Sequence, residues 1–378
     1  MIPRRRNPLR RRFAQAVGTL GSLLALARTD VQAQVRLVPD ERELGLSTQV
    51  GLGSPARFVP NSERAAVGVE ASFNRLLVRQ QNGVPCGPLA RAGVFAQAYS
   101  FRNPAVLGHS LGAALFYEPQ LFSWGRLAVS GRILAGVSYV SRHYNAETNP
   151  TNRAIGTALN GLIGAGLLAR YVVAPGWRLL AGLEGKHLSN AGVRLPNQGL
   201  NTPALTVGMT YFTGASGAQL AKRPKCLPGV PGKRLLARMV MLGSTRVLPA
   251  TTDRPERGYS IWGLNLVGGY AVWRSHYLSG GVEVLDDRSF REQLRRWHGS
   301  YQPHRQVTML AGYECWMGPF GLTAHMGWNV VRPPTYNPIT YQKYSLLAKS
   351  RSGLTGGVAV KAYGDDTKNI QLVLGYSL

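Results

Sequence analysis

The chain has 378 residues, 44% hydrophobic and 16% charged, which is ample for a folded protein and argues against disorder as its main state. Its 44 Lys and Arg stand against 18 Asp and Glu, and a net charge of +26 implies partners rich in phosphate or carboxylate. No run of about eighteen apolar residues appears, so a membrane role has to come from strands rather than a helix.

In chain order, residues 1–33 read as a secretory signal peptide. A basic start carries Arg4, Arg5, Arg6, Arg10, Arg11 and Arg12, an apolar stretch runs from Phe13 to Ala27, and Val31-Gln32-Ala33 supplies a cleavage site. Those arginines and Arg28 face Asp30 alone, so removing the leader takes away six net charges and leaves a strongly basic +20. The remaining cations are scattered between strand-like segments without a recognition motif, which ranks anionic lipid above nucleic acid as the partner.

Residues 34–60 read as a lead-in, and from 61 to 378 the texture is constant. Segments of about ten residues alternate in character and are separated by Asn, Pro, Gly and charged turns. Ala65, Val67, Val69, Ala71 and Phe73 alternate with polar or small residues, and Leu127, Val129, Ile133, Ala135, Val137 and Tyr139 face away from Arg126, Ser130, Arg132 and Ser138. Arginines on the second face suit a polar lumen. The pattern recurs to the last segment, where Ile370, Leu372, Leu374, Tyr376 and Leu378 share one face. With aromatic residues near segment ends, this predicts an all-β antiparallel transmembrane barrel of about twelve to fourteen strands rather than a soluble sandwich.

Three breaks interrupt the pattern. Residues 213–233 are basic and loop-like, dividing a first portion (61–212) from further strands of the same barrel (234–378). Residues 144–152 and the arginine-dense 286–305, with Arg288, Arg291, Arg295, Arg296, Trp297 and His298, read as long loops, the second either a lid near lipid phosphates or a merely solvated loop. Of the three cysteines, Cys86 and Cys226 fall in Pro/Gly-rich loop sequence and are read as unpaired, with a bridge between them open in an oxidising compartment; no Cys/His spacing suits zinc, so neither a metal nor another cofactor is expected.

The stretch from Trp177 to Tyr211 holds the candidate chemistry. Trp177, Leu179, Ala181, Leu183 and Gly185 lie on one strand face that ends in His187 and Ser189, two residues apart and so on the same side. Such a pair suits an esterase, because the imidazole takes the serine proton as the hydroxyl attacks an acyl carbonyl. Asn190 and the N–H groups near Gly192 are candidate oxyanion donors. By spacing alone a polar strand end at a membrane interface explains the pair better, because His-x-Ser arises often by chance.

The run His187-Leu188-Ser189-Asn190-Ala191-Gly192, followed by Pro196-Asn197-Gln198-Gly199, resembles the signature of the PagL lipid A deacylases, outer-membrane esterases built on an eight-stranded barrel. Phe101-Arg102-Asn103-Pro104 and Asn149-Pro150-Thr151-Asn152-Arg153-Ala154-Ile155-Gly156 resemble the longer members, often named acyloxyacyl hydrolases. The likeness is closest over residues 60–215. It implies a hydrolase acting on lipid A of lipopolysaccharide, with Ser189 as nucleophile, His187 as base, Asn190 and Gly192 at the oxyanion hole and Asn197 as support. Shorter members carry a Glu twelve residues after the serine; here that place is Asn201, which implies a Ser–His dyad oriented by an amide. Two readings compete with it: a non-catalytic barrel acting as a pore or structural protein, and a secreted polyanion-binding β-protein.

Overall fold

The computed structural model describes residues 35–378 apart from 57, 82–83, 214–233, 274–275, 300–303, 318, 333–338, 351 and 364–365. The leader and Cys226 therefore lie outside the described residues.

Sixteen strands form two closed antiparallel barrels of eight. The first contains β1 (Val35–Gly51), β2 (Val67–Gln81), β3 (Val84–Asn103), β4 (Gly108–Trp124), β5 (Leu127–Val140), β6 (Leu159–Ala174), β7 (Trp177–Ser189) and β8 (Leu200–Phe212). The second contains β9 (Leu235–Leu248), β10 (Arg257–Trp273), β11 (His276–Asp287), β12 (Arg305–Met317), β13 (Phe320–Val331), β14 (Thr340–Lys349), β15 (Leu354–Tyr363) and β16 (Asp366–Ser377). Neighbours in sequence pair throughout. Closure comes from β1 on β8, with Leu44 opposite Tyr211 and Val50 opposite Leu205, and from β16 on β9, with Leu374 opposite Met241.

The barrel class is the one that alternation predicts, but the closure differs from a single ring of twelve to fourteen strands. The segment read as a lead-in supplies β1, the strand that seals the first eight. Residues 286–305 likewise contain a helix, α1 (Arg288–His298), capped by Asp287 at its start and by the left-handed Gly299 at its end. Cys86 falls within β3 rather than a loop, and Cys315 is a free thiol.

Alternation has the same physical meaning in both halves. In β8, Leu205, Val207, Met209 and Tyr211 are exposed on the outer wall, while Thr202, Ala204, Thr206 and Thr210 are buried in the lumen. Exposed Trp124, Trp177, Tyr211, Trp273 and Tyr313 gather near the strand ends away from the long loops, as an aromatic girdle does at a bilayer boundary. At that end β4–β5 and β6–β7 are joined by two residues each, whereas the other end carries 52–66, 141–158, 190–199 and 249–256.

Eight strands leave an interior that side chains can fill. In the first lumen Glu118 meets Arg132 at 3.2 Å and also pairs with Arg170; Glu43 meets Arg91 at 3.2 Å and Arg178 at 2.9 Å; Glu70 meets Arg132 at 2.7 Å and Lys186 at 2.8 Å. Glu184 bonds Arg132, Gln49 and Thr206. Pairing offsets the large desolvation cost of these charges, and deleting one partner would cost about 3–5 kcal/mol. Arg126, read from parity as lumenal, is instead exposed in the β4–β5 turn. The second lumen is filled by Glu283 with Lys343, Glu314 with Arg238, and the buried His325.

Among the described residues the barrels meet on the wall of β4 and at the long-loop end. Tyr117 on the outer wall of β4 stacks on Phe320 of β13 with ring centroids 4.5 Å apart, beside Leu77, Ala90 and Ile133. At the long-loop end the Val247 N–H of β9 donates to the Gly192 carbonyl at 3.0 Å.

Candidate active site

β7 carries its exposed apolar face upward through Leu179, Ala181 and Leu183 to His187, which is half-buried at the long-loop end of the outer wall. Its cross-strand partner in β8 is Asn201, and the two side chains join, His187 Nδ1 to Asn201 Oδ1 at 2.8 Å. The antiparallel register therefore places Asn201 beside the imidazole. If Nδ1 carries the proton, it donates to the amide oxygen and Nε2 is left as the basic nitrogen.

Ser189 is nearly enclosed, with 6% of its surface exposed. Its Oγ accepts from the Ala191 N–H at 3.1 Å and the Asn197 amide at 3.0 Å, and donates to Asn197 Oδ1 at 3.1 Å. The Asn190 N–H also donates to Asn197 Oδ1, at 3.0 Å, so Asn197 faces both the hydroxyl and the backbone donor that follows it. The Gly192 N–H is engaged by Asn190 Oδ1 at 3.0 Å. Thus Ser189, Asn190 and Asn197 form one cluster, His187 and Asn201 form a second beside it, and Gly192 lies at the edge with its amide already used.

The turn that makes this cluster needs left-handed backbone at Ala191, Gly192 and Gly199, with φ of 57°, 79° and 76°. Gly199 matters further, because a Cβ there would lie 2.3 Å from His187 Cε1 and 3.0 Å from Nε2. The ring rests against bare backbone, and its edge position depends on that residue.

A second loop supports the first. Asn152 donates to the carbonyls of Val106 (3.0 Å) and Arg142 (2.8 Å) and accepts from the N–H groups of Ala154 and Ile155. Asn149 bonds the carbonyls of Val106 and His143, and Asn103 that of Pro60. Ile155 then bridges to Asn197, and the Gly199 N–H donates to the Ala154 carbonyl at 2.9 Å. Sequence reasoning noted these asparagines without a role. Their buried amides satisfy loop carbonyls, which is how a loop of this length stays fixed. Gly199 and the Val247 contact were also missed; only the glycine has a local signal, in the turn-forming Asn-Gln-Gly run. No group of three or more His, Cys, Asp or Glu able to hold a metal occurs among the described residues.

Two family models match the chain in succession. Residues 28–210 match lipid A 3-O-deacylase (PagL), and residues 236–378 match the acyloxyacyl hydrolase C-terminal domain. No curated protein matches it. Among solved structures, a triple mutant of the Rhodopseudomonas blastica porin is 11% identical over 89% of this chain and 100% of that one, with a TM-score of 0.19. Salmonella typhi OmpF in complex with daunomycin is 8% identical over 89% and 96%, with a TM-score of 0.17. Both family models describe hydrolases, so hydrolase activity in the general sense comes with membership. The boundary between their matches falls where the first barrel ends and the second begins, and the chain belongs to the lipid A 3-O-deacylase (PagL) and acyloxyacyl hydrolase family.

Proposed function

We propose that the chain is an outer-membrane serine esterase that removes an ester-linked acyl chain from lipid A of lipopolysaccharide. The observation that carries this reading is the His187–Asn201 pair beside Ser189 at the long-loop end of an apolar outer wall. An amphiphile lying in the leaflet would set its acyl chains against Leu183, Leu205 and Val207 and its ester at the height of Ser189. Long loops mark the outward-facing end in barrels of this kind, which is the leaflet that holds lipopolysaccharide.

In this mechanism the Ser189 hydroxyl rotates from Asn197 Oδ1 toward His187 Nε2 and attacks the acyl carbonyl as the imidazole takes its proton. The resulting imidazolium is oriented by Asn201, which supplies a hydrogen bond without a charge. The Asn197 amide, which already donates to Ser189 Oγ, is the candidate donor to the developing oxyanion. Collapse releases the sugar hydroxyl, protonated by His187, and leaves an acyl-enzyme at Ser189; water, activated by the same imidazole, then frees the fatty acid. The alternative of a pore gains no support from lumens packed with paired side chains.

Mass analysis of lipid A from cells expressing the wild type, Ser189→Ala and Asn201→Glu tests the reading. The wild type should remove one acyl chain, Ser189→Ala none, and Asn201→Glu should stay within about tenfold of wild type if the amide is an adequate orienter. Acyl loss that persists in Ser189→Ala would overturn the assignment.

A further inference from the structure

The rim of the second barrel carries a charged surface that the esterase chemistry leaves unused. Asp287 caps α1 by accepting from the Phe290 N–H at 2.9 Å, and buried Phe290 and Leu294 seat the helix on that rim. Its other face points outward. Arg288, Arg291 and Arg295 are all exposed there, within roughly 60° of one another at 3.6 residues per turn. Glu292 is the only acid in the helix, and it is gripped by Arg254, Arg295 at 3.2 Å and Arg296 at 3.4 Å. The adjoining loop is balanced, with Asp253 and Glu256 against Arg254 and Arg257.

The helix that carries this basic face is tied to the strand end that the esterase loop also holds. Arg296 Nη1 donates to the Pro249 carbonyl at 2.9 Å, and two residues earlier the Val247 N–H holds the Gly192 carbonyl at 3.0 Å. Two residues of extended chain span about 7 Å. The helix and the Ser189 turn therefore grip the same end of β9. That end is open to them because β16 pairs with β9 only as far as Gly243.

We infer that α1 is a docking site for a phosphate on the headgroup of the amphiphile whose ester meets Ser189, an inference that rests on the proposed esterase reading. Guanidinium groups match phosphate oxygens in a planar, two-point geometry, and a capped helix holds three of them in fixed relation. Anchored there, the headgroup lies over the junction of the barrels while its acyl chains run down the apolar wall below His187. The second barrel thus selects and orients what the first one cuts.

The test uses the full-length chain in neutral detergent micelles, with Ser189→Ala so that the ligand persists. It is titrated with lipid A, lipid A stripped of its phosphates, and phosphatidylglycerol. The expected result is about tenfold tighter binding of intact lipid A than of either other lipid, lost on adding Arg288→Gln with Arg295→Gln. In the active chain the same double substitution should raise KM about tenfold with kcat within about twofold, whereas Arg126→Gln at the opposite rim should change neither. A phosphate preference that survives the double substitution, or equal binding of phosphatidylglycerol, overturns the docking site. A preference that is present in a chain that cleaves nothing removes the esterase reading and leaves the headgroup site; cleavage without any preference does the reverse.

Discussion

Each half of the chain closes eight antiparallel strands around paired buried charges, yet the seventh strands of the two barrels end differently. β7 ends in His187 and Ser189 and is followed by ten residues, 190–199, that fold back over the serine. β15 ends at Tyr363, half-buried against Tyr341, and two residues later β16 begins. One scaffold therefore gives a wall that ends in a polar cluster in the first barrel and a plain wall in the second. What differs is the length and turn chemistry of one connection, together with the face on which the polar residues stand.

The second barrel has a serine–histidine pair of its own. Ser279 Oγ lies 2.9 Å from His325 Nε2, with Glu314 3.6 Å from the same nitrogen. All three are buried in the lumen, so a membrane lipid has no path to them. In the first barrel the polar pair is on the outer wall. Residue types alone do not make a site; the face decides whether substrate arrives.

The sharpest break of this comparison exchanges the two serines as targets. Ser189→Ala should lower deacylation by roughly 10⁴-fold or more, whereas Ser279→Ala should leave it unchanged, as read from lipid A mass spectra. Loss of activity in both would mean that the lumen takes part in the chemistry.

A smaller effect is expected at Gly199. An alanine there meets the His187 ring at 2.3 Å and must adopt a left-handed backbone, so the imidazole is displaced. We expect kcat to fall about 100-fold, with the barrel still folded as judged by its heat-dependent gel mobility. Unchanged kcat would show that the ring position is not set by this residue.

The smallest effect concerns α1. Burial pushes the Glu292 carboxyl up, but hydrogen bonds from Arg254 and Arg296 and the charges of Arg254 and Arg295 outweigh it and hold the group below its ordinary 4.5. A carboxyl lowered by folding stabilises the helix above the ordinary value, and that contribution is lost as pH falls through the depressed one. Amide protection in α1 should drop about threefold between pH 6 and pH 3, and Glu292→Gln should reduce the dependence, the remainder coming from the Asp287 cap.

Much of this was legible in the residues. Parity put His187 and Ser189 on the apolar face of β7 and Glu184 on the other, where it bonds Arg132. The helix had its signals too, Asp287 before it and Gly299 after it, but the density of arginine made the segment read as loop. Arg126 shows the limit of parity, since an alternation extended one residue too far runs into a turn.

By itself the sequence determined that the chain is built of amphipathic strands, which wall is apolar, and which strand end carries a histidine and a serine on that wall. Those are properties of one segment at a time, because side chains alternate along any extended backbone. Only the tertiary structure decided that β1 seals the first eight strands and β16 the second, that Asn201 stands opposite His187, and that Val247 meets the turn after Ser189 while α1 holds the same end of β9. These depend on hydrogen-bond register and closure between segments far apart in the chain, and a period of two reads the same whichever strand lies alongside.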